Sequence, residues 1–323
     1  MTTMLDPDAQ PAIQTDGLGK RYGRDGPLAL ADLDLTVQRG EIFGFLGPNG
    51  AGKSTAIRLL LGFLHATTGQ ATVLGHDIAR DSVAIRRRVG YLPGGIAFWE
   101  ELSGERLLDE LAALTGRPPV LRSMLLERLE LSASTLRRPV RAYSRGMRQK
   151  LGIIQAFQHD PELAILDEPS EGLDPLMQRA FYAILGERRA AGRTIFFSSH
   201  VLSEVERVCD RVAIIRHGRL VALEDVATLL TRRKRQVELR VRNGAVPALA
   251  AVPGVSDLVI DGDRVSCRLE GEVGPFLAAL APADVVDLTI EPANLEEAFL
   301  EFYAEDASEL EPGVPEPSEA VPS

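Results

Sequence analysis

The stretch Gly47-Pro48-Asn49-Gly50-Ala51-Gly52-Lys53-Ser54-Thr55 decides the fold of this chain. It fits the pattern G-x-x-x-x-G-K-[ST], in which glycines let backbone N–H groups curl around phosphate oxygens. A strand-like run, Glu41–Leu46, precedes the stretch and a helix-like run, Ala56–Leu61, follows it. This context predicts a phosphate-binding loop whose helix adds the positive end of its dipole. Lys53 is expected to reach the β- and γ-phosphates of a nucleotide, and Ser54 to hold Mg²⁺.

Composition narrows the class of protein. The 323 residues are enough for two domains, and 45% hydrophobic with 25% charged residues is typical of a soluble, globular chain. The formal net charge of −10 argues against broad nucleic-acid binding. Six acids and no bases follow from Glu305 onward, so much of this charge belongs to the C-terminal end.

Cysteine use and hydropathy bear on location. Cys209 and Cys267 are the only cysteines, lie far apart in sequence and form no metal-like cluster, which favours a reducing compartment. The N-terminus lacks the apolar core of a signal peptide, and no apolar run approaches the roughly 20 residues that span a bilayer. If the protein works at a membrane, another subunit is expected to provide the membrane part.

Alternating strands and helices from about Ile13 to Leu230 predict an α/β domain. The helix-rich part lies at about residues 95–160, and Arg211–Leu223 is predicted to form a hairpin that turns at His217-Gly218. Short apolar runs predict buried strands at Ile42–Leu46, Leu163–Leu166, Thr194–Phe197 and Val212–Ile215.

A basic cluster, Arg232–Arg235, marks the end of this domain. It is interpreted as a solvated linker, with contact to lipid headgroups or a partner as the alternative. Residues 236–304 are predicted to form a small α+β accessory domain without a catalytic cluster. Ala293–Tyr303 is predicted to be an amphipathic helix, while residues 1–12 form a flexible leader and 305–323 a disordered acidic tail. Within the accessory domain, strands are predicted at Gln236–Arg242, Val255–Asp261, Arg264–Leu269 and Val285–Ile290, and helices at Val246–Ala251 and Gly274–Leu280.

Two acids follow one of the predicted strands. Asp167 and Glu168 end the apolar run Leu163–Leu166. Asp167 is placed to hold Mg²⁺, directly or through water, and Glu168 to orient and polarise an attacking water.

Three further residues stand at informative spacings from these acids. Ser144 precedes Asp167 by 23 residues and can cap the following helix, and Gly146 lets the backbone of that helix approach a phosphate. His200 follows a predicted strand and comes 32 residues after Glu168.

Together with the phosphate loop, these motifs resemble those of the ATP-binding-cassette (ABC) ATPases over about residues 13–230. The resemblance implies a P-loop α/β fold with a RecA-like core, an antiparallel β subdomain and a helical subdomain. In that family two cassettes sandwich two ATPs, each between one subunit's phosphate loop and the other's signature motif. ATP and Mg²⁺ are therefore implied as cofactors, with ATP hydrolysis coupled to transport and either a homodimer of cassettes or a dimer with a close relative.

The resemblance also implies roles within one cassette. Gly47 to Thr55 corresponds to the Walker A loop, and Asp167 to the Walker B carboxylate, which shares Mg²⁺ with Ser54. Glu168 corresponds to the general base, and His200 to the switch histidine that contacts the γ-phosphate.

Other implied roles concern the nucleotide base and the opposite cassette. Ser144 and Gly146 would meet the γ-phosphate of the opposite ATP, and Asp174, in Gly172-Leu173-Asp174-Pro175, would lie in the D-loop. Tyr22, 25 residues before Gly47, would stack on adenine.

The sequence departs from the family pattern in several places. The signature reads Tyr143-Ser144-Arg145-Gly146-Met147 where the family has Leu-Ser-Gly-Gly-Gln. This basic variant, like the C-terminal motif Asn294–Leu300, resembles ATPase subunits of drug and antibiotic exporters whose permease is a separate six-helix, ABC-2 type protein. Gly94 stands where the family usually has Gln, and Glu171 where it usually has Ser. We therefore hypothesise slow ATP turnover, or sensing of the nucleotide through other groups.

Phe98 and Trp99 follow Gly94 closely and admit two interpretations. They pack inside the helical subdomain, or they face the coupling helix of the permease.

These resemblances favour the ATPase subunit of an exporter that powers efflux of a drug, an antibiotic or another small or lipophilic substrate. It would work at the cytoplasmic face of a bacterial cell membrane and touch the membrane only through its permease. The alternatives are a soluble ABC ATPase acting on ribosomes or DNA, and an importer ATPase. A single Walker A loop and the gap of 91 residues from Lys53 to Ser144 argue against the two-cassette and long coiled-coil types.

Overall fold

The computed structural model describes residues 10–24, 26–231, 235–242 and 248–291. The chain divides into two compact units after Val226. Most of the predicted leader, the basic residues 232–234, the amphipathic stretch Ala293–Tyr303 and the acidic tail lie outside the described residues. Within the leader, Ala12 is buried, and its N–H donates to the carbonyl oxygen of Val37 at 2.8 Å.

A six-stranded sheet forms the centre of the first unit, in the order β10-β9-β3-β8-β7-β6. Its strands are parallel except β10, which forms the predicted hairpin with β9. Every residue of β3 and β7 is buried, as expected for apolar strands covered on both faces. The four predicted buried strands and the α/β class are thus confirmed. The strands are β3 Ile42–Leu46, β6 Val89–Leu92, β7 Leu163–Asp167, β8 Thr194–Ser199, β9 Arg211–Arg216 and β10 Arg219–Asp225.

A four-stranded antiparallel sheet packs beside it, in the order β2-β1-β4-β5. Side chains of this sheet share one hydrophobic core with β3 and with the helix that follows the phosphate loop, α1 (Lys53–Leu60). That helix packs against β2, β4 and β7. The strands are β1 Ile13–Arg21, β2 Leu28–Val37, β4 Thr68–Val73 and β5 His76–Asp77.

Helices occupy most of the chain between β6 and β7. The first helix after β6 is the leucine-rich α3 (Gly104–Thr115), which Ser103 caps at its N-terminus. Gly116 ends it in the left-handed conformation (φ 66°), which glycine adopts without strain. The other helices of the unit are α2 Ser82–Arg88, α4 Arg122–Arg128, α5 Ala133–Leu136, a 3₁₀ turn at Val140–Ala142, α6 Arg145–Phe157, α7 Pro175–Ala190 and α8 Leu202–Val208.

The second unit contains an antiparallel sheet in the order β12-β13-β11-β14. One helix, α10 (Val273–Leu280), contributes Phe276 to its core. The predicted strands and this helix are confirmed, whereas the described part of the predicted helix Val246–Ala251 contains a 3₁₀ turn at Leu249–Ala251. The remaining elements are α9 Val226–Thr231, β11 Arg235–Val241, β12 Val255–Asp261, β13 Arg264–Leu269 and β14 Val285–Glu291.

Cys209 and Cys267 are both buried free thiols. Within the described ranges, no helix combines the length and the apolar character that crossing a bilayer requires.

Burial of His159 predicts acid sensitivity. The side chain is 5% exposed, and no hydrogen-bond partner is present for either ring nitrogen within the described part of the chain. Burial, followed by the nearby Arg117 charge, lowers the pKa of His159 from 6.5 to about 4. At pH values between about 4 and 6.5, His159 therefore binds a proton in the unfolded chain and is neutral in the folded chain. We expect the free energy of unfolding to fall by up to about 3 kcal/mol as the pH drops from about 6.5 to about 4.

Urea unfolding at pH 7, 5.5 and 4.5 measures this effect. His159→Asn should flatten the dependence on pH, whereas the exposed His65→Asn should retain the wild-type dependence. The same slope in the His159 variant and the wild type would contradict the prediction.

Candidate active site

The predicted phosphate loop joins β3 to α1, and glycine is required at two of its positions. A Cβ atom at Gly47 would lie 2.4 Å from the carbonyl oxygen of Ile215. Gly52 has a φ of 108°, and a Cβ there would lie 2.6 Å from the carbonyl oxygen of Ala29. The loop can therefore follow this path only without side chains at these positions.

Lys53 is the buried cation of the loop. Its Nζ donates to the carbonyl oxygens of Gly47 (2.6 Å) and Pro48 (3.2 Å) and lies 3.5 Å from Oε1 of Glu168. The side chain is 5% exposed, so the ammonium depends on these oxygens in place of water.

A cavity of ≈ 180 Å³ lies between the loop and Glu168, which follows the end of β7. The seven loop residues from Pro48 to Ser54, together with Thr55, supply most of its wall, and Glu168 and Ala29 complete it. The glycine cradle, the ammonium and the helix N-terminus at one cavity fit a polyphosphate.

Asp167 is held through both carboxylate oxygens. Ser54 Oγ donates to Oδ2 at 2.8 Å, and Ser198 Oγ donates to Oδ1 at 2.5 Å. Hydroxyl and carboxylate oxygens are the donors that Mg²⁺ prefers, so this pair fits that ion. Burial, followed by the Asp167 charge, raises the pKa of nearby Tyr91 to about 12.

Glu168 directs its carboxylate between two predicted site residues. Its Oε1 lies 3.5 Å from Lys53 Nζ and 3.2 Å from Nδ1 of His200. The backbone of Glu168 is left-handed (φ 50°), which is uncommon for a residue with a side chain. Its N–H donates to both the carbonyl oxygen and Oγ of Ser198 at 3.2 Å. These bonds fix the residue where β7 ends.

Tyr22 lies at the rim of this group. Its hydroxyl is 3.3 Å from Thr55 Oγ1, and the Lys20 ammonium lies 5.7 Å from the ring centroid. Tyr22 is 42% exposed. The adenine-stacking role stays a prediction.

Ser144, Gly146 and Asp174 form a separate group. Ser144 caps α6 by accepting from Met147 N–H at 3.2 Å, and Asp174 caps α7 by accepting from two N–H groups at 3.0 Å. In the described part of the chain, no hydrogen bond or ion pair links these three residues to the phosphate loop, and none lines its cavity. One chain thus brings together the loop, Asp167, Glu168 and His200, and leaves the signature residues apart.

Two residues that differ from the family pattern, Arg145 in the signature and Glu171 before the D-loop, contact each other. Arg145 forms an ion pair with Glu171. The Cγ atom of Arg145 would lie 3.3 Å from a Cβ atom at Gly172, the residue after Glu171. Sequence reasoning treated the two positions separately and missed the pair. Their opposite charges were the available signal. Because both side chains are largely exposed, the pair contributes about 1 kcal/mol or less to stability.

Gly94 lies directly against the Walker B position. A Cβ atom there would be 3.2 Å from Asp167 Oδ2 and 3.3 Å from its Cγ, which is tighter than ordinary contact. We expect Gly94→Ala to lower the kcat of ATP hydrolysis about three- to tenfold, because Ser54 and Ser198 restrain the carboxylate that must move. Steady-state ATPase assays at saturating ATP measure this change.

Gly95→Ala is the matched control, since a Cβ there meets nothing within 4 Å. Gly94→Gln carries the same Cβ and the amide usual in the family, so its kcat should exceed that of Gly94→Ala if the missing amide slows turnover. Wild-type rates in both Gly94 variants would contradict the prediction and the hypothesis of slow turnover.

Comparisons with known proteins identify the family of this chain. The family model described as ABC transporter matches residues 30–171. An uncharacterized ABC transporter ATP-binding protein of Nostoc sp. is 37% identical, over 84% of this chain and 82% of its own length. The daunorubicin resistance ATP-binding protein DrrA3 of Streptomyces coeruleorubidus is 34% identical, over 92% and 98%. The bacitracin transport ATP-binding protein BcrA of Bacillus licheniformis is 35% identical, over 90% and 96%.

A solved structure described as the ATP binding subunit of an ABC transporter shares the fold. It is 32% identical, with a TM-score of 0.62, over 68% of this chain and 91% of that one. The fold and the loop–carboxylate–histidine site define a P-loop ATPase of the cassette type. The chain belongs to the ABC transporter family, and the predicted ATP binding and ATP hydrolysis follow from that membership.

Proposed function

We propose that this protein is the ATP-binding and ATP-hydrolysing subunit of an ABC exporter. It would power efflux of a drug, an antibiotic or another small or lipophilic substrate through a separate ABC-2 type permease. The observation that carries the proposal is that Lys53 and Glu168 both line the phosphate-loop cavity, with His200 in contact with Glu168. Relatives named for daunorubicin resistance and bacitracin transport supply the substrate class.

Each side chain has a task that its position supports. Lys53 binds the β- and γ-phosphates, since its ammonium is held at the mouth of the glycine cradle. Ser54 and Asp167 hold Mg²⁺, which neutralises phosphate charge when bound. Glu168 accepts the proton of the attacking water. His200, whose Nδ1 lies 3.2 Å from Oε1 of Glu168, orients that carboxylate and contacts the γ-phosphate. Tyr22 stacks on adenine from the rim.

The remaining predicted residues act on a second copy of the chain, or on a close relative. Ser144 and Gly146 cannot serve their own chain's cavity, because they neither line it nor contact the loop. The N-terminal end of α6 suits the γ-phosphate of the opposite ATP, because its first turn contains no acidic residue and a helix N-terminus attracts anions. Asp174 then lies between the two copies. The accessory domain, residues 236–304, would support the dimer or regulate it.

A partly apolar groove on the helical part of the unit suits the permease. Trp99, 60% exposed, lines it with Leu102 and Leu114. Exposure of Trp99 disfavours the interpretation that it packs inside the subdomain. We propose that the coupling helix of the permease occupies this groove, which places the cassette at the cytoplasmic face of the cell membrane.

Trp99→Ala tests the groove. We expect it to weaken co-purification with the permease about tenfold or more, because exposed aromatic anchors often dominate interfaces. The affinity for ATP should stay within twofold of the wild type. Ser134→Ala, an exposed change elsewhere on the helical part, is the control. Equal loss of ATP binding and permease binding would favour a packing role instead.

Co-expression with a candidate permease tests the whole proposal, and a six-helix membrane protein encoded next to this gene would be the first candidate. We expect a stable complex whose ATPase rate rises with transported substrate, and drug accumulation that falls in cells carrying both proteins. Repeated failure to find a membrane partner would favour the soluble alternative on ribosomes or DNA, and uptake rather than efflux would favour the importer.

A further inference from the structure

A polar cluster lies behind the site, around the carboxylate of Glu204 on α8. Its Oε2 accepts a hydrogen bond from Ser199 Oγ at 2.7 Å, and its Oε1 accepts one from Ser170 Oγ. Both serines are buried, at 2% and 5% exposure. None of the roles given above uses Glu204.

The two serines belong to the segments that carry the site. Ser199 directly precedes His200, and its carbonyl oxygen accepts from the N–H of Gly47 at 3.2 Å. Ser170 lies in the turn from Glu168 to Asp174, where its carbonyl oxygen accepts from Leu173 N–H at 3.1 Å. One carboxylate therefore joins the histidine segment to the segment that follows the general base.

The helix α7, which Asp174 caps, is tied to the same carboxylate. Tyr182 on this helix is buried, and its pKa is raised by burial first, then by the Glu204 charge and the hydrogen bond with Glu204. The Arg207 guanidinium lies 5.7 Å from the Tyr182 ring centroid. Two serine hydroxyls thus donate to one carboxylate, and hydrogen bonds to a carboxylate are roughly twice as strong as bonds between neutral groups.

We propose that Glu204 is a positioning residue that makes the His200 segment and the turn between Glu168 and Asp174 move as one unit. The proposal rests on the site roles given under the proposed function. A displacement of Asp174 by the second copy is then transmitted through Ser170 and Glu204 to Ser199 and His200. Glu204 itself does not line the nucleotide cavity, so its effect falls on catalysis and not on ATP binding.

Glu204→Gln tests this assignment with little change of volume. The amide keeps one acceptor oxygen and places a donor against the second serine, so one of the two bonds is lost or reversed. We expect kcat to fall about five- to tenfold, with KM for ATP within twofold of the wild type. In a His200→Ala background, Glu204→Gln should lower kcat less than twofold further, because its effect passes through His200.

Ser203→Ala, an exposed change on the same helix, is the control. Ser170→Ala and Ser199→Ala each remove one hydrogen-bond donor to Glu204. When either is combined with Glu204→Gln, kcat should fall by less than the product of the two separate effects. Wild-type kcat in Glu204→Gln, a rise of KM equal to the fall in kcat, or the full fall repeated in the His200→Ala background would overturn the proposal. A wild type that hydrolyses ATP yet exports nothing with its permease would contradict the proposed function and leave this comparison valid.

Discussion

Glu168→Gln is expected to lower the rate of ATP hydrolysis at least about 100-fold and to leave ATP binding intact. Glu168 is the acid that borders both the cavity and His200, and an amide cannot accept the proton of the attacking water. General-base catalysis contributes about 10²–10⁴-fold to such rates. The left-handed backbone at this position places no demand on the charge of the side chain, so the change should not disturb the fold.

Single-turnover and steady-state assays with radiolabelled ATP measure the rate, and equilibrium binding measures the affinity. Glu127→Gln, an exposed acid on α4, is the matched control. If the copies sandwich ATP as proposed, the Glu168 variant should also accumulate as an ATP-dependent dimer in light scattering. An ATP hydrolysis rate in Glu168→Gln above a tenth of the wild-type rate would contradict the assignment of Glu168 as the base.

Lys53→Met is expected to weaken ATP binding about 30-fold or more. The buried ammonium faces the cavity between loop carbonyls and the Glu168 carboxylate, so it is the nearest cation to any bound phosphate. Removing one partner of a buried, hydrogen-bonded charge pair costs about 2–5 kcal/mol. Methionine retains the length of the side chain but removes its charge. The Glu168 carboxylate then lacks this cation and repels the phosphates of incoming ATP.

Isothermal titration with ATP and Mg²⁺ gives the affinity of each variant. Arg128→Met also removes a cation, one that pairs with Glu187 away from the cavity, and should bind ATP like the wild type. Thermal unfolding without nucleotide separates lost binding from lost folding. An affinity within threefold of the wild type would mean that Lys53 does not contact the phosphates.

Much of the fold follows from short stretches of sequence. The strands β3, β7, β8 and β9 are continuous apolar runs, and such runs are stable only where a sheet is covered on both faces. The phosphate loop was equally readable, because glycines at fixed spacing before Lys53 and Ser54 permit a backbone path that residues with side chains cannot follow. The short turn at Leu249–Ala251 was harder to predict, since a few apolar residues satisfy both helical and 3₁₀ patterns.

Local patterns alone do not bring distant residues together, and only the family resemblance implied that Ser54 and Asp167 share one ion. Ser54 and Asp167 are 113 residues apart, and only the parallel register of β3, β8 and β7 brings them within 2.8 Å. Ser198 was not predicted as a site residue, although it lies two positions before His200. Its hydroxyl gains meaning only because β8 runs beside β7 and faces Asp167.

The sequence by itself determined the chemistry of this protein: a glycine loop that admits phosphate, a lysine, two acids and a histidine, each at the end of a recognisable strand or at the start of a helix. The tertiary structure decided which of them meet. It joins Glu168 to Lys53 and His200, ties the surrounding segments through Glu204, sets Gly94 against Asp167 and keeps Ser144 and Gly146 apart from the cavity. Local patterns record backbone conformation and burial, whereas these contacts depend on the order of strands in a sheet, which no short stretch encodes.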